Sequence, residues 1–280
     1  MTIKLIKQAL KEDAAFDDIT TKQTVSSKSV IKAELIAKAS GVICGLDIAG
    51  DVFSAVDADC KLKKHVNDGS NVKPGKVIAS VAGPARAVLS AERTALNFVQ
   101  HLSGIATLTA AFVAKVRGTR SKIYDTRKTT PGLRELEKYA VRCGGGTNHR
   151  MNLAEMAMLK DNHVRVASDI KTLMGRIRKA KPGIRIELEC ESLKEVQSAA
   201  ECGADVIMLD NMSVKQMKDA VSTIKKMSKG LKRPLIEISG GINLSNVRQA
   251  AEIGADIISI GSITHSAPAL DISLEVVEII

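Results

Sequence analysis

The sequence predicts an α/β protein whose C-terminal part forms a closed or nearly closed barrel of parallel strands. Short apolar segments alternate there with helical periodicity, and they lie at 122–125, 156–160, 184–189, 205–209, 235–238 and 256–260. An internal repeat supports this alternation, because AAECGADVI (199–207) returns as AAEIGADII (250–258). Each copy is typical of a helix end, a turn and a buried strand, and consecutive units of this kind build a parallel sheet with right-handed crossovers.

Length and composition limit the classes of protein to which the chain can belong. The chain has 280 residues, enough for one large domain or two ordinary ones with an ample core. It is 45% hydrophobic but contains no run of about 18 apolar residues, so no membrane span is expected. The N-terminus becomes charged too early for a secretory signal. Aromatic residues make up only 2%, which argues against stacking platforms for single-stranded nucleic acid.

Charge and cysteine content narrow the expected partners. The formal net charge is +10, which suits either nucleic acid or small polyanionic substrates. Because no lysine-rich tail or basic recognition helix is present, we expect small anionic substrates and no nucleic-acid partner. The five cysteines form no CxxC pair and no zinc-like spacing, which favours reduced thiols in a cytosol.

The N-terminal third is predicted to hold helices at 3–12 and 46–56, a polar turn at 17–21, a half-buried strand at 30–39 and short strands around the turns at 67–69 and 74–75. Ser90 is a candidate N-cap for a helix over 91–104, which Gly104 would end or kink. Arg93 would then lie near a helix N-terminus, where the helix dipole disfavours a cation. This placement suggests that Arg93 has a functional role.

Basic side chains crowd the stretch from Asp125 to His163. They are Arg127, Lys128, Arg134, Lys138, Arg142, His149, Arg150, Lys160 and His163. Two rigid turns, TPG at 130–132 and GGG at 144–146, interrupt the stretch. Cations therefore fall where strands give way to loops, which is where α/β barrels carry their chemistry. Since arginine binds carboxylate or phosphate through two parallel hydrogen bonds, the stretch indicates an anion-binding site rather than a solvated face.

Strand alternation predicts which charges point into the barrel. In IRIELE (184–189), the apolar residues share one face, and Arg185, Glu187 and Glu189 share the other. The same parity turns Lys160, Asp210, Glu237 and Ser239 inward. A barrel interior is normally filled with branched apolar residues, and buried charges are costly unless they are paired or used. We therefore expect most of this set to be functional, with Glu187 and Glu237 as structural partners of the lysine and arginines.

Two glycine loops and two carboxylates complete the candidate site. Ser239-Gly240-Gly241 follows one late strand and Gly261-Ser262 follows the last, where barrel loops often bind phosphate through backbone N–H groups. Glu189 and Asp210 suit Mg²⁺ bound together with substrate phosphates, or ribose hydroxyls. The site is thus expected to hold a carboxylate-bearing ligand and a phosphate.

The motifs closely resemble those of the quinolinate phosphoribosyltransferase family. The matching segments are ERTALNF (92–98), SGIAT (103–107), DTRKTTPGLR (125–134), KYAVRCGGGTNHR (138–150), LKDNH (159–163), ELEC (187–190), LDN (209–211) and SGGI (239–242). The resemblance implies an N-terminal α/β sandwich over 1–104 and an incomplete parallel α/β barrel over 105–267, the arrangement of type II phosphoribosyltransferases. The C-terminal tail, 268–280, is free to return to the first domain.

The resemblance also implies an activity. The family joins quinolinate to phosphoribosyl pyrophosphate with Mg²⁺, and it releases pyrophosphate and CO₂ to give nicotinate mononucleotide. The implied substrate-binding residues are Arg93, Thr126, Arg127, Lys128, His149, Arg150, Lys160, Glu189, Asp210, Ser239, Gly240, Gly241, Gly261 and Ser262. Among them, Lys128, Lys160, Glu189 and Asp210 are the implied catalytic residues, and the last two are also the implied metal ligands.

Individual roles follow from the same resemblance. The quinolinate carboxylates would be held by Arg127, His149, Arg150 and Lys160. Lys128 would contact the pyrophosphate, and the two glycine loops would hold the 5′-phosphate. Arg93 would reach into the site of a partner subunit, which implies a homodimer.

Three alternatives stay open. One is a molybdenum-transport-associated protein of the same fold, against which Lys160 and His163 of the KDNH segment argue. Another is a phosphoribosyltransferase for nicotinate, which would need to bind one carboxylate rather than two. A third is a non-catalytic metabolite-binding barrel, which the intact Glu189, Asp210 and Lys128 disfavour.

Overall fold

The computed structural model describes residues 2–167 and 169–280, which group into two units. Unit 1 combines Met1–Ala110, Thr130–Gly145 and Ser266–Ile280. Unit 2 combines Ala111–Thr129 and Gly146–His265. The domain limits expected from the sequence differ from these units, since the sequence assigns 105–110 and 130–145 to the barrel.

Helices and strands alternate along most of the chain. In chain order the elements are α1 (Thr2–Glu12), a 3-10 helix (Ala15–Asp17), α2 (Ile19–Thr24), β1 (Val30–Ala37), β2 (Gly41–Val42), α3 (Leu46–Val56), β3 (Lys61–Lys64), β4 (Asn71–Val72), β5 (Val77–Pro84), α4 (Ala85–Lys115), β6 (Lys122–Tyr124), α5 (Arg134–Cys143), β7 (Ala157–Leu159), α6 (Asp161–Ala167), α7 (Ile170–Ala180), β8 (Ile186–Cys190), α8 (Leu193–Glu201), β9 (Val206–Asp210), α9 (Val214–Met227), β10 (Leu235–Ser239), α10 (Val247–Ile253), β11 (Ile257–Ser259), α11 (Ser262–His265) and β12 (Ile272–Ile279).

Unit 1 is organised around a four-stranded sheet with the order β12-β1-β5-β3. Strand β1 is antiparallel to both neighbours, and its residues alternate between half-buried and buried, as predicted. The last strand, β12, pairs with β1 from Ile31 opposite Ile279 to Ala37 opposite Ile272. The C-terminal tail therefore returns to the N-terminal sheet.

Residues 17–21, which were expected to form a polar turn, instead contain the end of the 3-10 helix at Asp17 and the start of α2 at Ile19. The side chain of Asp18 accepts the backbone N–H of Thr21 at 2.9 Å and caps this helix. Ser90, expected to cap a helix itself, donates its hydroxyl hydrogen to Asp18 Oδ2 at 2.9 Å. Ser90 lies inside α4, so the prediction that it is an N-cap is wrong.

Helix α4 is longer than the sequence predicts. It begins at Ala85 and continues through Gly104, which the sequence marks as an end or kink. Packing explains why position 104 is a glycine, because a β-carbon there would lie 2.1 Å from the carbonyl oxygen of Pro268. Arg93 lies in the third turn of α4, so the argument that placed it at a helix N-terminus is wrong.

By length and composition alone, α4 could cross a membrane. Half of its most apolar 18-residue window, 50%, is buried inside the protein, as in the core helix of a soluble protein. The helix is therefore weak evidence for a membrane span.

Unit 2 contains a six-stranded parallel sheet with the order β6-β11-β10-β9-β8-β7. The order starts at β6 and ends at β7, so the sheet forms the expected incomplete barrel. Both copies of the sequence repeat fold alike: α8 leads through Gly203 into β9, and α10 leads through Gly254 into β11. These glycines have φ values of 70° and 107°, which favour glycine at each turn.

Candidate active site

A cavity of about 490 Å³ lies in unit 2 at the carboxyl ends of the parallel strands. This volume is typical of a small-molecule site, and its position is where barrel enzymes bind substrates. The lining residues are Thr126, Arg127, Lys128, His149, Arg150, Met158, Lys160, Glu189, Met208, Asp210, Glu237, Ser239, Gly240, Gly241, Ile242, Ser259, Ile260, Gly261, Ser262 and His265.

The cavity brings together the site residues expected from the sequence, with one exception. Arg93 is exposed on α4 in unit 1 and does not line it. Three cations of the basic stretch, Arg134, Lys138 and Arg142, lie on α5 in unit 1. The inward parity of Lys160, Glu189, Asp210, Glu237 and Ser239 agrees with their place in the lining.

A buried carboxylate fixes the loop that carries His149. Asp125 follows β6 and is 0% exposed. It accepts the backbone N–H of His149 at 2.8 Å and the side-chain amide of Asn148 at 2.5 Å. The loop is also joined to β6 through the Asp125 N–H, which donates to the Thr147 carbonyl at 3.2 Å. Asp125 therefore positions His149 without lining the cavity itself.

His149 lies between two fully buried carboxylates. Its Nε2 donates to Glu237 Oε2 at 3.3 Å and lies 3.2 Å from Glu187 Oε2. Burial opposes the charged imidazole, but the two carboxylates outweigh it and raise the pKa of His149 to about 10. Burial, and then the charge of Glu237, raise the pKa of Glu187. The sequence expected these glutamates to pair with the lysine and arginines, and did not anticipate His149.

One contact favours a neutral His149. The backbone N–H of Arg150 lies 2.9 Å from His149 Nδ1, and this contact is a hydrogen bond only while that nitrogen is unprotonated, so an imidazolium would have to give it up. A neutral imidazole with a protonated Glu187 holds the same number of protons as an imidazolium between two carboxylates. Charge-assisted hydrogen bonds are about twice as strong as neutral ones, so we favour the imidazolium.

Arg150 is held rigidly and close to another cation. Its Nη1 donates to the Met156 carbonyl at 2.9 Å, and its Nη2 contacts Met158 Sδ at 3.5 Å. Burial, and then the positive charge of Arg127, lower the pKa of Arg150. Its buried Nε finds no hydrogen-bond partner among the described residues. An anion bound here would relieve the repulsion and accept this N–H.

Glu189 and Asp210, at the ends of the neighbouring strands β8 and β9, each accept one side-chain hydrogen bond. Lys160 Nζ donates to Glu189 Oε2, and Asn211 Nδ2 donates to Asp210 Oδ2 at 2.7 Å. Within the described part of the chain, no hydrogen bond is made by the second oxygen of either carboxylate. Oxygen donors of this kind fit Mg²⁺, which takes one or two carboxylates and keeps several waters.

The glycine loops have conformations that side chains would disturb. Gly240 has φ of 86°, and a β-carbon there would lie 2.2 Å from Asn211 Oδ1. A β-carbon at Gly261 would lie 3.0 Å from Lys128 Cδ and 3.2 Å from His265 Nε2. The neighbour of Gly240 is thus Asn211, which lies outside the lining, whereas the neighbours of Gly261 are the lining residues Lys128 and His265.

The structure adds lining residues that the sequence did not single out. His265 lies at the end of α11, one helical turn after Ser262, so a fuller use of that turn would have found it. Ser259, at the end of β11, is 3% exposed, and its hydroxyl has no hydrogen-bond partner among the described residues. Met158 and Met208 line the apolar part of the cavity, and as single methionines in strands they carry no distinguishing pattern.

An open parallel barrel with cations, carboxylates and glycine loops around one cavity defines a class of enzymes that act on small anionic molecules. Family models described as quinolinate phosphoribosyl transferase, N-terminal domain and C-terminal domain, match residues 18–103 and 105–275. The chain belongs to the quinolinate phosphoribosyltransferase family.

Three relatives illustrate how far the similarity extends. The chain is 41% identical over 277 residues to nicotinate-nucleotide pyrophosphorylase (carboxylating) of Mycobacterium leprae, covering 96% of this chain and 95% of the relative. It is 40% identical to the probable enzyme of the same name from Bacillus subtilis, with coverage of 98% and 92%. The solved structure of the nicotinate-nucleotide pyrophosphorylase from Francisella tularensis superposes with a TM-score of 0.92 at 36% identity, covering 99% and 96% of the two chains.

Proposed function

We propose that this chain transfers phosphoribose from phosphoribosyl pyrophosphate to quinolinate, with loss of CO₂, and so makes nicotinate mononucleotide for NAD biosynthesis. The observation that carries the proposal is that Arg127, His149, Arg150 and Lys160 line one cavity together with two glycine loops. Family membership and the names of the relatives support the same reaction.

The cations are suited to a pyridine that bears two carboxylates. Arg150 has an Nε without a hydrogen-bond partner among the described residues and lies beside the charge of Arg127, while His149, whose Nε2 is bound to Glu237, contributes positive charge. Rigid, pre-charged donors bind a carboxylate without reorganisation. We assign both carboxylates of quinolinate to this group, with Lys160 completing it.

The second substrate is assigned to the glycine loops. Gly240, Gly241 and Gly261 line the cavity, and among the described residues no atom lies within 4 Å of a β-carbon built at Gly241, so the 5′-phosphate is assigned to this backbone. Ser239, Ser262 and Thr126 add hydroxyl donors to the same lining. Lys128 passes beside Gly261, where a β-carbon would lie 3.0 Å from its Cδ, and is assigned to the departing pyrophosphate.

The reaction requires no general base. As the bond from the anomeric carbon to pyrophosphate breaks, the ring nitrogen of quinolinate forms its bond to that carbon. The ribose becomes oxocarbenium-like, and the carboxylates of Glu189 and Asp210 stabilise its positive charge. The nitrogen is then cationic, so the adjacent carboxylate leaves as CO₂ and its bonding electrons stay on the ring, where a proton from solvent replaces it. Positioning and electrostatics supply the rate.

We propose Mg²⁺ as the cofactor, held by Glu189 and Asp210 together with substrate phosphates. When bound, the ion supplies positive charge to the leaving pyrophosphate. Lys160 remains on Glu189 in this arrangement and orients that carboxylate. Removal of divalent ions with EDTA should abolish turnover, and addition of Mg²⁺ should restore it.

We further propose a cytosolic homodimer in which Arg93 serves the site of the partner. Its exposure on α4, apart from the cavity lining, supports this role. Arg93→Ala and Arg127→Ala variants should each be inactive, and mixing them should restore part of the activity because a mixed dimer contains one intact site. Failure of the mixture to recover any activity would contradict sharing between subunits.

The decisive experiment compares two acceptors. The protein, Mg²⁺ and phosphoribosyl pyrophosphate are mixed with either quinolinate or nicotinate, and CO₂ and the nucleotide product are followed. We expect CO₂ and nicotinate mononucleotide in equal amounts from quinolinate and no product from nicotinate. Turnover of nicotinate but not of quinolinate would establish the alternative acceptor and overturn the proposal.

A further inference from the structure

Two cysteines of unit 1 lie together, outside the residues that line the cavity. The sulfur atoms of Cys44 and Cys143 and a carboxylate oxygen of Asp68 all lie within 4.8 Å of one another. Cys44 is 0% exposed, whereas Cys143 is half-buried and reachable from solvent. The two residues are far apart in the sequence, so their contact is a product of the fold.

Both cysteines are held by the same face of α4. The backbone N–H of Cys44 donates to Ser103 Oγ at 2.9 Å, and the Ser103 hydroxyl donates to the Cys44 carbonyl at 3.2 Å. Next to Cys143, Gly144 packs so closely on α4 that a β-carbon would lie 2.4 Å from the Ala106 carbonyl oxygen. Since residues 103 and 106 are neighbours on a helix surface, the two thiols are fixed side by side.

The carboxylate in this cluster already has a structural task. Asp68 Oδ2 accepts the Gly45 N–H at 2.9 Å and the Tyr139 hydroxyl at 3.0 Å, and Oδ1 accepts the Leu46 N–H at 3.3 Å. These bonds cap α3, which begins at Leu46. A metal ion would compete with these three bonds for the carboxylate oxygens, so the cluster favours chemistry of the two thiols over metal binding.

The two thiols have different acidities. The hydrogen bond to Cys143, together with burial, raises the pKa of Cys44. The hydrogen bond from Cys44 lowers the pKa of Cys143 in spite of burial, with help from the Tyr139 hydroxyl and Arg142 and opposition from Asp68. Cys143 is therefore the thiolate-forming, accessible partner, which is the one that oxidants attack first.

We propose that Cys44 and Cys143 are a reversible oxidation site, at which Cys143 reacts with hydrogen peroxide and Cys44 resolves the product as a disulfide. The Cys143 thiolate attacks one peroxide oxygen, which forms sulfenic acid and releases hydroxide. The Cys44 sulfur then bonds to the Cys143 sulfur, its proton joins the departing hydroxyl group, and water leaves. In total, two thiols and one peroxide give one disulfide and two waters. The buried neighbour thus protects Cys143 from irreversible oxidation.

The test begins with the wild-type protein and needs no variant. The reduced full-length chain is treated with a small excess of hydrogen peroxide, quenched and denatured, and its free thiols are counted. We expect the count to fall by two from the five thiols of the reduced chain, to recover with dithiothreitol, and peptide mapping to join Cys44 to Cys143. An unchanged count, or a disulfide between other cysteines, would overturn the proposal.

Variants separate the two roles. Cys143→Ser should lose no thiols, and in Cys44→Ala the sulfenic acid of Cys143 should persist and be captured by dimedone. Cys202→Ser is the matched control, because Cys202 is also half-buried but belongs to no cluster of ligand atoms in the described residues. It should lose two thiols like the wild type. Persistent sulfenic acid in the wild type would show that Cys44 does not resolve it.

Discussion

His149 Nε2 and Glu237 Oε2 lie 3.3 Å apart, with side-chain exposures of 7% and 0%. With Glu187 and Glu237 ionised and His149 charged, these three side chains carry a net charge of −1. The charge of Arg150, which also acts on Glu187, balances them, and His149 and Arg150 together explain how two buried glutamates can lie beneath an anion site.

The first prediction concerns the charge on His149. Glu237→Gln removes one negative partner and should lower the pKa of His149 from about 10. Because folding raises the pKa of His149, protonation of His149 stabilises the folded state. This stabilisation is complete below about pH 6.5 and is lost as the pH rises through 10. Nitrogen-15 NMR of the imidazole should show both nitrogens protonated in the wild type at pH 7. A neutral Nε2–H tautomer there would contradict the prediction.

The second prediction concerns quinolinate binding by Arg150. Arg150→Lys keeps a positive charge but removes the planar donor set, including the unpartnered Nε. A lost hydrogen bond to a charged group costs about 1.5–3 kcal/mol, so kcat/KM for quinolinate should fall roughly 10- to 100-fold. Arg176→Ala, at an exposed position on α7, is the control and should leave kinetics unchanged. Equal effects of the two substitutions would refute a specific role for Arg150.

The third prediction compares two adjacent glycines. Gly240→Ala places a β-carbon 2.2 Å from Asn211 Oδ1 at a φ of 86°, so both crowding and backbone strain oppose it. Together these should cost about 2–5 kcal/mol in the free energy of unfolding. Gly241→Ala also has positive φ, at 63°, but its β-carbon meets no atom of the described residues within 4 Å. It should cost only about 1–2 kcal/mol in urea unfolding, and similar losses for both variants would count against crowding by Asn211.

The fourth prediction concerns the middle of α4. Gly104→Ala would place a β-carbon 2.1 Å from the Pro268 carbonyl oxygen, and overpacking of this kind costs about 1–3 kcal/mol. In the described part of the chain, no atom lies within 4 Å of a β-carbon at Gly175 on α7, so Gly175→Ala should stabilise the protein by about 0.5–1 kcal/mol through helix propensity. The midpoint of thermal unfolding should therefore fall in Gly104→Ala and rise in Gly175→Ala. Stabilisation by Gly104→Ala would show that the close approach to Pro268 is not needed.

Much of the barrel could be predicted because its signals are local. Each strand is a short apolar segment. Side-chain alternation alone predicted that Lys160, Glu189 and Asp210 point into the barrel, and all three line the cavity. The repeat in α8–β9 and α10–β11 follows from the same periodicity, whereas periodicity left open whether the barrel closes. Alternation was sufficient to predict the direction of these side chains, because successive residues of a strand point to one of only two faces.

Other features depend on contacts that no local pattern encodes. Gly104 resembles a helix terminator by propensity, and only its approach to Pro268 explains why α4 continues. Glu187 and Glu237 lie on β8 and β10, which are separated by β9, and their meeting at His149 requires the sheet order. The roles assigned to the cavity residues stay predictions until the variants are measured.

The pairing of β12 with β1 has a consequence for synthesis. Strand β1 can pair with β5 early, but its other neighbour, β12, is present only when residues 272–279 have been translated. During elongation, one edge of that strand exposes unpaired backbone N–H and C=O groups while the barrel is still emerging from the ribosome. Ribosome-bound chains that stop before residue 272 should accordingly be better substrates for chaperones that hold exposed strand edges than full-length chains released from the ribosome.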